Sequence, residues 1–272
     1  MTKQILKIAI SGALGRMGKI LIKTIKNKKN ISLTTAIVKK KSPYLQQDIG
    51  LVTNIGKIGI PITDSIKRHL KQFNILIDFT NPKTTLENLE ICAKSNKNII
   101  IGTTGFTKSE QKKIENFSKS IGIVQSSNYS IGINLIMNLL EKTTKILGEN
   151  FDIEIIEAHH NQKIDSPSGT AIAIGKKICK TMNWNFEEKA VYARKTRNIP
   201  RTKNEIGFST IRAGNIIGEH KIIFANSDEH IEIKHKAITR SIFAKGAIHA
   251  ALWLFKQNNL TGLYNMNDVL KI

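Results

Sequence analysis

The feature that most restricts this chain is a rhythm. Through its first half, short and almost wholly apolar runs alternate with segments of helical spacing. ILKIAI (5–10) lacks the apolar/polar alternation of a half-exposed strand and reads as a strand buried on both faces. A glycine-rich turn follows, then a helix over 15–27 whose positions Met17, Ile20, Leu21, Thr24 and Ile25 recur at helical spacing. ISLTTAIV (31–38), NILIDF (74–79), NIII (98–101) and IGIVQS (121–126) are predicted strands. Helices are predicted to begin at Asn81-Pro82 and near Thr107-Lys108, each with a capping residue ahead of it. Strands alternating with helices imply an α/β fold with a doubly wound parallel sheet.

Beyond about residue 150 the pattern changes. FDIEIIEA, one helix over 168–182, then FSTIRAG, KIIFAN and HIEIKHKA predict a second, α+β domain with a mixed or antiparallel sheet, its later strands read as antiparallel. The segment 241–255, SIFAKGAIHAALWLF, reads as an amphipathic helix able to return to the first domain.

Charge raises a competing function. A net charge of +21 suggests nucleic acid or an anionic membrane surface as partner. Of 42 basic residues, however, only seven are Arg, and the lysines are scattered among abundant Asn and Ile, which points to a compositional bias. The densest basic stretch, RKTRNIPRTK (194–203), is read as a solvated loop. No nucleic-acid or membrane partner is therefore expected. Cys92 and Cys179 form no metal or redox spacing, so a reduced, cytoplasmic setting is expected. The apolar start breaks at Ser11-Gly12 and Arg16 follows, which suits strand, turn and helix better than a signal peptide.

GALGRMG (12–18) lies between a strand and a helix, the context a dinucleotide fingerprint requires, because backbone N–H groups at the helix start must approach a pyrophosphate. Leu14 stands at the central glycine position of the strict pattern, and a tight turn without ligand is the alternative. GTTGF (102–106) and SSNYS (126–130) follow the fourth and fifth strands, at the carboxyl ends where ligands bind in such sheets.

EAHHNQKIDSPSGTA (157–171) concentrates the remaining chemistry. Asp165 or Ser166 is expected to cap a helix, with Pro167 in its first turn and the N–H groups of Ser168, Gly169 and Thr170 pointing out of its end as an anion site. His159, His160 and Lys163 add proton-donating or positive groups. A small dianion suits this set; two adjacent histidines without a further ligand suit a metal poorly, and none is expected. Lys163 can donate a proton, hold a carboxylate or stabilise developing negative charge, and residue types alone do not divide these roles.

GALGRMG, IDFTNP, IGTTGF, SSNYSIGIN, EIIEAHHNQKIDSPSGTA and STIRAGNIIGEH occur here in the order and spacing of the 4-hydroxy-tetrahydrodipicolinate (dihydrodipicolinate) reductases, and the chain resembles that family along nearly its whole length. The resemblance implies a Rossmann-like domain from 1–129 plus 241–272, and a substrate-binding and oligomerisation domain at 130–240 that assembles a homotetramer. It implies an NAD(P)H-dependent oxidoreductase that converts 4-hydroxy-tetrahydrodipicolinate to tetrahydrodipicolinate, with loss of water, in the diaminopimelate route to lysine. By position, His159 matches the family's proton donor/acceptor and Lys163 its proton donor; His160, Gly169 and Thr170 match substrate-binding positions. Gly12, Ala13, Leu14, Gly15, Arg16, Met17, Gly102, Thr103, Thr104, Ser126, Ser127, Asn128 and Tyr129 match cofactor contacts. NAD-binding proteins of this type commonly end their second strand on a carboxylate. Val38 stands there, followed by Lys39, Lys40 and Lys41, so NADPH is expected to be preferred over NADH, with Lys39 best placed for the phosphate.

Overall fold

A computed structural model describes residues 4–26, 28–194, 199–258 and 260–272. The predicted helix end at Asn27, and 195–198 of the predicted loop at 194–203, lie outside the described residues. In chain order the elements are β1 (Leu6–Ser11), α1 (Arg16–Lys26), β2 (Ile31–Ile37), the single turn α2 (Ile49–Val52), β3 (Ile62–Thr63), β4 (Ile75–Asp78), α3 (Pro82–Lys94), β5 (Asn98–Ile101), α4 (Lys108–Ser118) and β6 (Gly122–Gln125). Then come α5 (Ile131–Leu147), β7 (Asp152–His159), α6 (Gly169–Met182), α7 (Phe186–Lys189), β8 (Ala190–Val191), β9 (Ile206–Arg212), β10 (Glu219–Ala225) and β11 (His230–Lys236). α8 (Ser241–Lys256), β12 (Gly262–Tyr264) and α9 (Met266–Leu270) complete the chain. Two compact units result, Met1–Ile131 with Ser241–Ile272, and Gly132–Arg240.

The first unit holds a seven-stranded sheet in the order β12-β6-β5-β4-β1-β2-β3, every adjacent pair parallel. From β3 to β6 this is the doubly wound order, with its switch point between β1 and β4. Both faces are covered, as the apolar runs predict. Leu6, Ile8 and Ile10 of β1 enter one core with Ile75 and Ile77, while Ala9 enters the other with Leu76 and Ile99. Ala244, Ala247, Ala250 and Ala251 of α8 lie in the first of these cores, and a Cβ on Gly246 would collide with the carbonyl oxygen of Tyr129. That run of small residues lets the helix backbone come close to the sheet. The predicted starts of α3 and α4 hold: Asn81 caps α3 with Pro82 in its first turn, and Thr107 caps α4 in a capping box with Glu110.

The second unit has a five-stranded sheet, β11-β10-β7-β9-β8. Ile153 and Ile155 of β7 and Ile222 and Phe224 of β10 pack with Ile174 and Ile178 of α6 and Leu140 of α5. β10 is antiparallel to both β7 and β11, as expected. β9 differs from expectation: it runs parallel to β7, because the chain returns to the sheet by a crossover that contains α6. The sequence reading does not include α5. Its Ile131, Leu135 and Leu139 add a second apolar stripe to the buried Ile133, Ile136 and Leu140, which blurs the helical period.

Candidate active site

In the second unit, chemistry gathers where β7 ends. Side chains alternate along a strand, so Glu157 falls in phase with the core residues Ile153 and Ile155 and is only 1% exposed. A carboxylate there is tolerable only if paired and hydrogen-bonded. Arg212 of β9 donates to both of its oxygens, Nη1 at 2.9 Å and Nη2 at 2.7 Å. The Ser168 N–H donates to Oε1 at 3.0 Å and the Thr210 hydroxyl at 3.3 Å. Burial alone would raise the Glu157 carboxyl; the hydrogen bonds from Arg212, His159 and Ser168 outweigh it and hold the group below its ordinary value.

His159, two residues further along the strand, turns its Nδ1 to Glu157 Oε2 at 2.5 Å. An ionised carboxylate only accepts, so Nδ1 carries the hydrogen and the neutral ring leaves its lone pair on Nε2. Burial lowers the His159 pKa, the Glu157 charge opposes that, and the cations Lys163 and Arg212 reinforce it. Nε2 faces Gly218: a Cβ there would lie 3.0 Å from it. His220 of β10, 4% exposed, meets the His159 ring edge to face at 5.2 Å and lies 3.0 Å from the Ser168 hydroxyl through Nε2. Burial pushes its pKa down to about 4, with His159 adding to the effect.

The loop after β7 carries the other predicted residues. Lys163 is 20% exposed, and its ammonium donates to both oxygens of Asp165 at 2.6 and 2.8 Å. That bond, chiefly, draws the Asp165 carboxyl below its usual range. His160 is half-buried and accepts the Lys163 N–H through its carbonyl at 3.1 Å. The expected cap is corrected: neither Asp165 nor Ser166 caps α6, and Pro167 lies ahead of it. Ser168 is the N-cap, its hydroxyl accepting the Ala171 N–H at 3.2 Å while its own N–H serves Glu157 and so does not point out of the helix end. Gly169 and Thr170 open the helix, with no atom within 4 Å of where a Gly169 Cβ would stand. Among the described residues no group of three or more His, Cys, Asp or Glu could hold a metal.

In the first unit a cavity of about 1510 Å³ opens at the switch point. Gly12, Leu14, Gly15 and Lys39 line it, as do Lys40, Thr80 and Asn88. Gly12 has φ +71°, and a Cβ on it would stand 2.9 Å from Thr80 Cγ2, so the backbone alone can form this wall. The Gly15 N–H closes the turn on the Gly12 carbonyl at 2.8 Å. A bare-backbone wall at a helix start with cations beside it fits a phosphate-bearing dinucleotide. Val38 is buried and offers no carboxylate.

The other predicted cofactor positions belong to this unit but do not line the cavity. Ala13 is buried and Met17 packs on the core. Arg16, Thr104 and Ser127 are exposed, and Ser126 and Asn128 bond each other across 2.8 Å. A Cβ on Gly102 would collide with the Phe79 ring, and Thr103 Oγ1 accepts the Thr80 N–H at 3.1 Å. Tyr129 is in the core, 1% exposed, its hydroxyl 2.9 Å from the carbonyls of both Ile101 and Val124 and its own carbonyl packed against Gly246.

Sequence reasoning missed Glu157, Arg212 and His220 as site-building residues, and placed Ser168 in the site with a different role. A signal existed for Glu157 alone: a carboxylate in phase with two strand isoleucines.

Residues 6–129 match the family described as dihydrodipicolinate reductase, N-terminus, and residues 132–270 that described as dihydrodipicolinate reductase, C-terminus. The 4-hydroxy-tetrahydrodipicolinate reductase of Buchnera aphidicola subsp. Baizongia pistaciae (strain Bp) is 67% identical over 272 residues, covering 100% of both chains. That of Buchnera aphidicola subsp. Schizaphis graminum (strain Sg) is 51% identical, over 100% of this chain and 99% of its own. A dipicolinate-bound dihydrodipicolinate reductase from Paenisporosarcina sp. TG-14 shares the fold, with a TM-score of 0.77 at 22% identity over 96% of this chain and 98% of that one.

Proposed function

The chain belongs to the dihydrodipicolinate reductase family, and from that premise we infer how its own residues carry the family's reaction. The reaction is the NAD(P)H-dependent reduction of 4-hydroxy-tetrahydrodipicolinate to tetrahydrodipicolinate, with loss of water, in the diaminopimelate route to lysine. One hydride and one proton enter, and the hydroxyl leaves as water. The bound reduced nicotinamide supplies the hydride. The proton has to come from the protein, at the electron-rich ring atom that hydride addition creates.

We propose that His159 delivers that proton from Nε2 and that Lys163 is a second proton donor and carboxylate ligand. His160 and the N-terminal turn of α6 at Gly169 and Thr170 bind the substrate carboxylates. The observation that carries this reading is the hydrogen bond of His159 Nδ1 to the buried Glu157, which leaves Nε2 as the ring's one exchangeable position. Gly12 to Met17, Gly102 to Thr104 and the loop Ser126 to Tyr129 are the segments that hold the dinucleotide. Lys39 and Lys40, both at the cavity of the first unit, favour the 2′-phosphate of NADPH over NADH. A cytoplasmic homotetramer is the expected working form.

The test is a coupled assay with purified aldolase product, following the loss of reduced-nicotinamide absorbance. Pyridine-2,6-dicarboxylate, a planar carrier of both carboxylates, should inhibit competitively. A folded preparation without turnover refutes the assignment.

A further inference from the structure

Glu157 has more partners than a structural clamp between β7, β9 and α6 requires. The two guanidinium bonds from Arg212, the Ser168 N–H and the Thr210 hydroxyl already fill both of its oxygens with donors. The contact at 2.5 Å to His159 Nδ1 is shorter than any of these, and it comes from a strand neighbour two residues on. Residues i and i+2 share a strand face, so a carboxylate at 157 is well placed to reach the ring at 159.

We infer that Glu157 is the positioning residue of His159, and that Arg212 keeps its carboxylate an acceptor through the whole proton transfer. The inference rests on the reading that His159 delivers the proton. In that step the imidazolium gives its Nε2 proton to the substrate atom that has received the nicotinamide hydride. The Nε2–H bond breaks, the new substrate–H bond forms, and the hydrogen on Nδ1 stays there, donated to Glu157. The neutral ring left behind is a single tautomer, which takes its next proton from water at Nε2. Without the carboxylate the ring has two tautomers, and one of them presents its lone pair away from the substrate. Arg212 matters because a carboxylate that took up a proton would compete with the ring as donor.

The charged and titratable groups facing the His159 ring come from every neighbouring element. They are Glu157 on β7, Lys163 in the loop that follows, itself paired with Asp165, Arg212 on β9, and His220 on β10, with His235 of β11 paired beside it. Removing the one close anion and removing the closest guanidinium therefore act on the ring with opposite sign. A merely structural role for Glu157 predicts no fall in kcat that follows the His159 midpoint.

Nitrogen-labelled histidine NMR reads tautomer and titration directly, and the resonance lost in His159→Gln assigns this ring among the seven histidines. The parent ring is expected as the Nδ1–H tautomer. In Glu157→Gln its midpoint should fall by about one to three pH units, the range for loss of a charge in contact. With the midpoint below the assay pH, each unit lowers kcat about tenfold, because the imidazolium is that much scarcer. The KM for the cofactor should stay within about twofold. In Arg212→Gln the His159 midpoint should rise. An Nε2–H tautomer in the parent, an unmoved midpoint, or movement in the same direction in both variants overturns the inference. If one variant does not fold, the parent tautomer and the midpoint of the folded variant still decide. A parent with the expected tautomer and midpoints but no turnover refutes the functional reading instead, since both are measured without substrate.

Discussion

Gly218→Ala is a one-carbon perturbation aimed at the atom proposed to give up the proton. The new Cβ would stand 3.0 Å from His159 Nε2, whereas ordinary contacts begin at 3.4 Å. Something must yield by about 0.4 Å, and the ring is poorly free to do so, because Nδ1 is held at 2.5 Å by Glu157, which Arg212 and the Ser168 N–H hold in turn. The ring tilts about its anchored edge, and the tilt is largest at Nε2. A misplacement of about 1 Å can lower a rate about 10²-fold, so a displacement roughly half as large should lower kcat about tenfold. Stability should fall by about 1 kcal/mol or a little more, the range for mild overpacking. Steady-state kinetics with saturating cofactor, beside the thermal midpoint, separate the two effects. An unchanged kcat would refute the reasoning, since Nε2 would then not be the reacting atom or the ring would be free to slide.

Three further outcomes are expected. His159→Ala and Lys163→Ala should each lower kcat by roughly 10²-fold or more with cofactor Kd nearly unchanged, as measured by nucleotide fluorescence titration beside turnover. A large loss of cofactor affinity at constant kcat would assign the cluster to the nucleotide site. NADPH should be favoured over NADH about tenfold in kcat/KM, equivalent to about 1.4 kcal/mol, with the ratio shrinking at high salt and in Lys39→Ala; an unchanged ratio in the variant would remove Lys39 from the selection. Acid should destabilise the second unit in two stages. His220 binds a proton near pH 6.5 when unfolded but only near about 4 when folded, so stability falls as pH drops through that window, by about 3 kcal/mol in total. Glu157, whose folded value lies below its unfolded one near 4.5, adds a loss at lower pH still. Thermal midpoints from pH 7 to 4 should fall less steeply in His220→Gln than in the parent, and parallel curves would contradict the assignment.

Much of this was legible in the sequence because the signals are local. Apolar runs such as ILKIAI and NIII are strands buried on both faces, and they form the parallel sheet. Asn81-Pro82 and Thr107 carry their helix starts in their own side chains, since a cap reaches only two or three residues ahead. The glycine turn is likewise local, and so is the crowding of His159, His160 and Lys163 into five positions.

What the sequence left open is non-local. Asp165, Ser166 and Ser168 are all capable caps, and the choice falls to Ser168 because Glu157, eleven residues earlier, takes its N–H. Whether β9 runs parallel or antiparallel depends on the path of the crossover, which side-chain alternation does not record. Arg212 meets Glu157 across 55 residues, and Ser168 meets His220 across 52. Residue types and their order thus determined the main strands of both sheets, the starts of α3 and α4, the glycine turn and the basic cluster, but not α5. Only the tertiary structure decided which histidine nitrogen carries the hydrogen, because that depends on a buried carboxylate kept ionised by a cation from another strand.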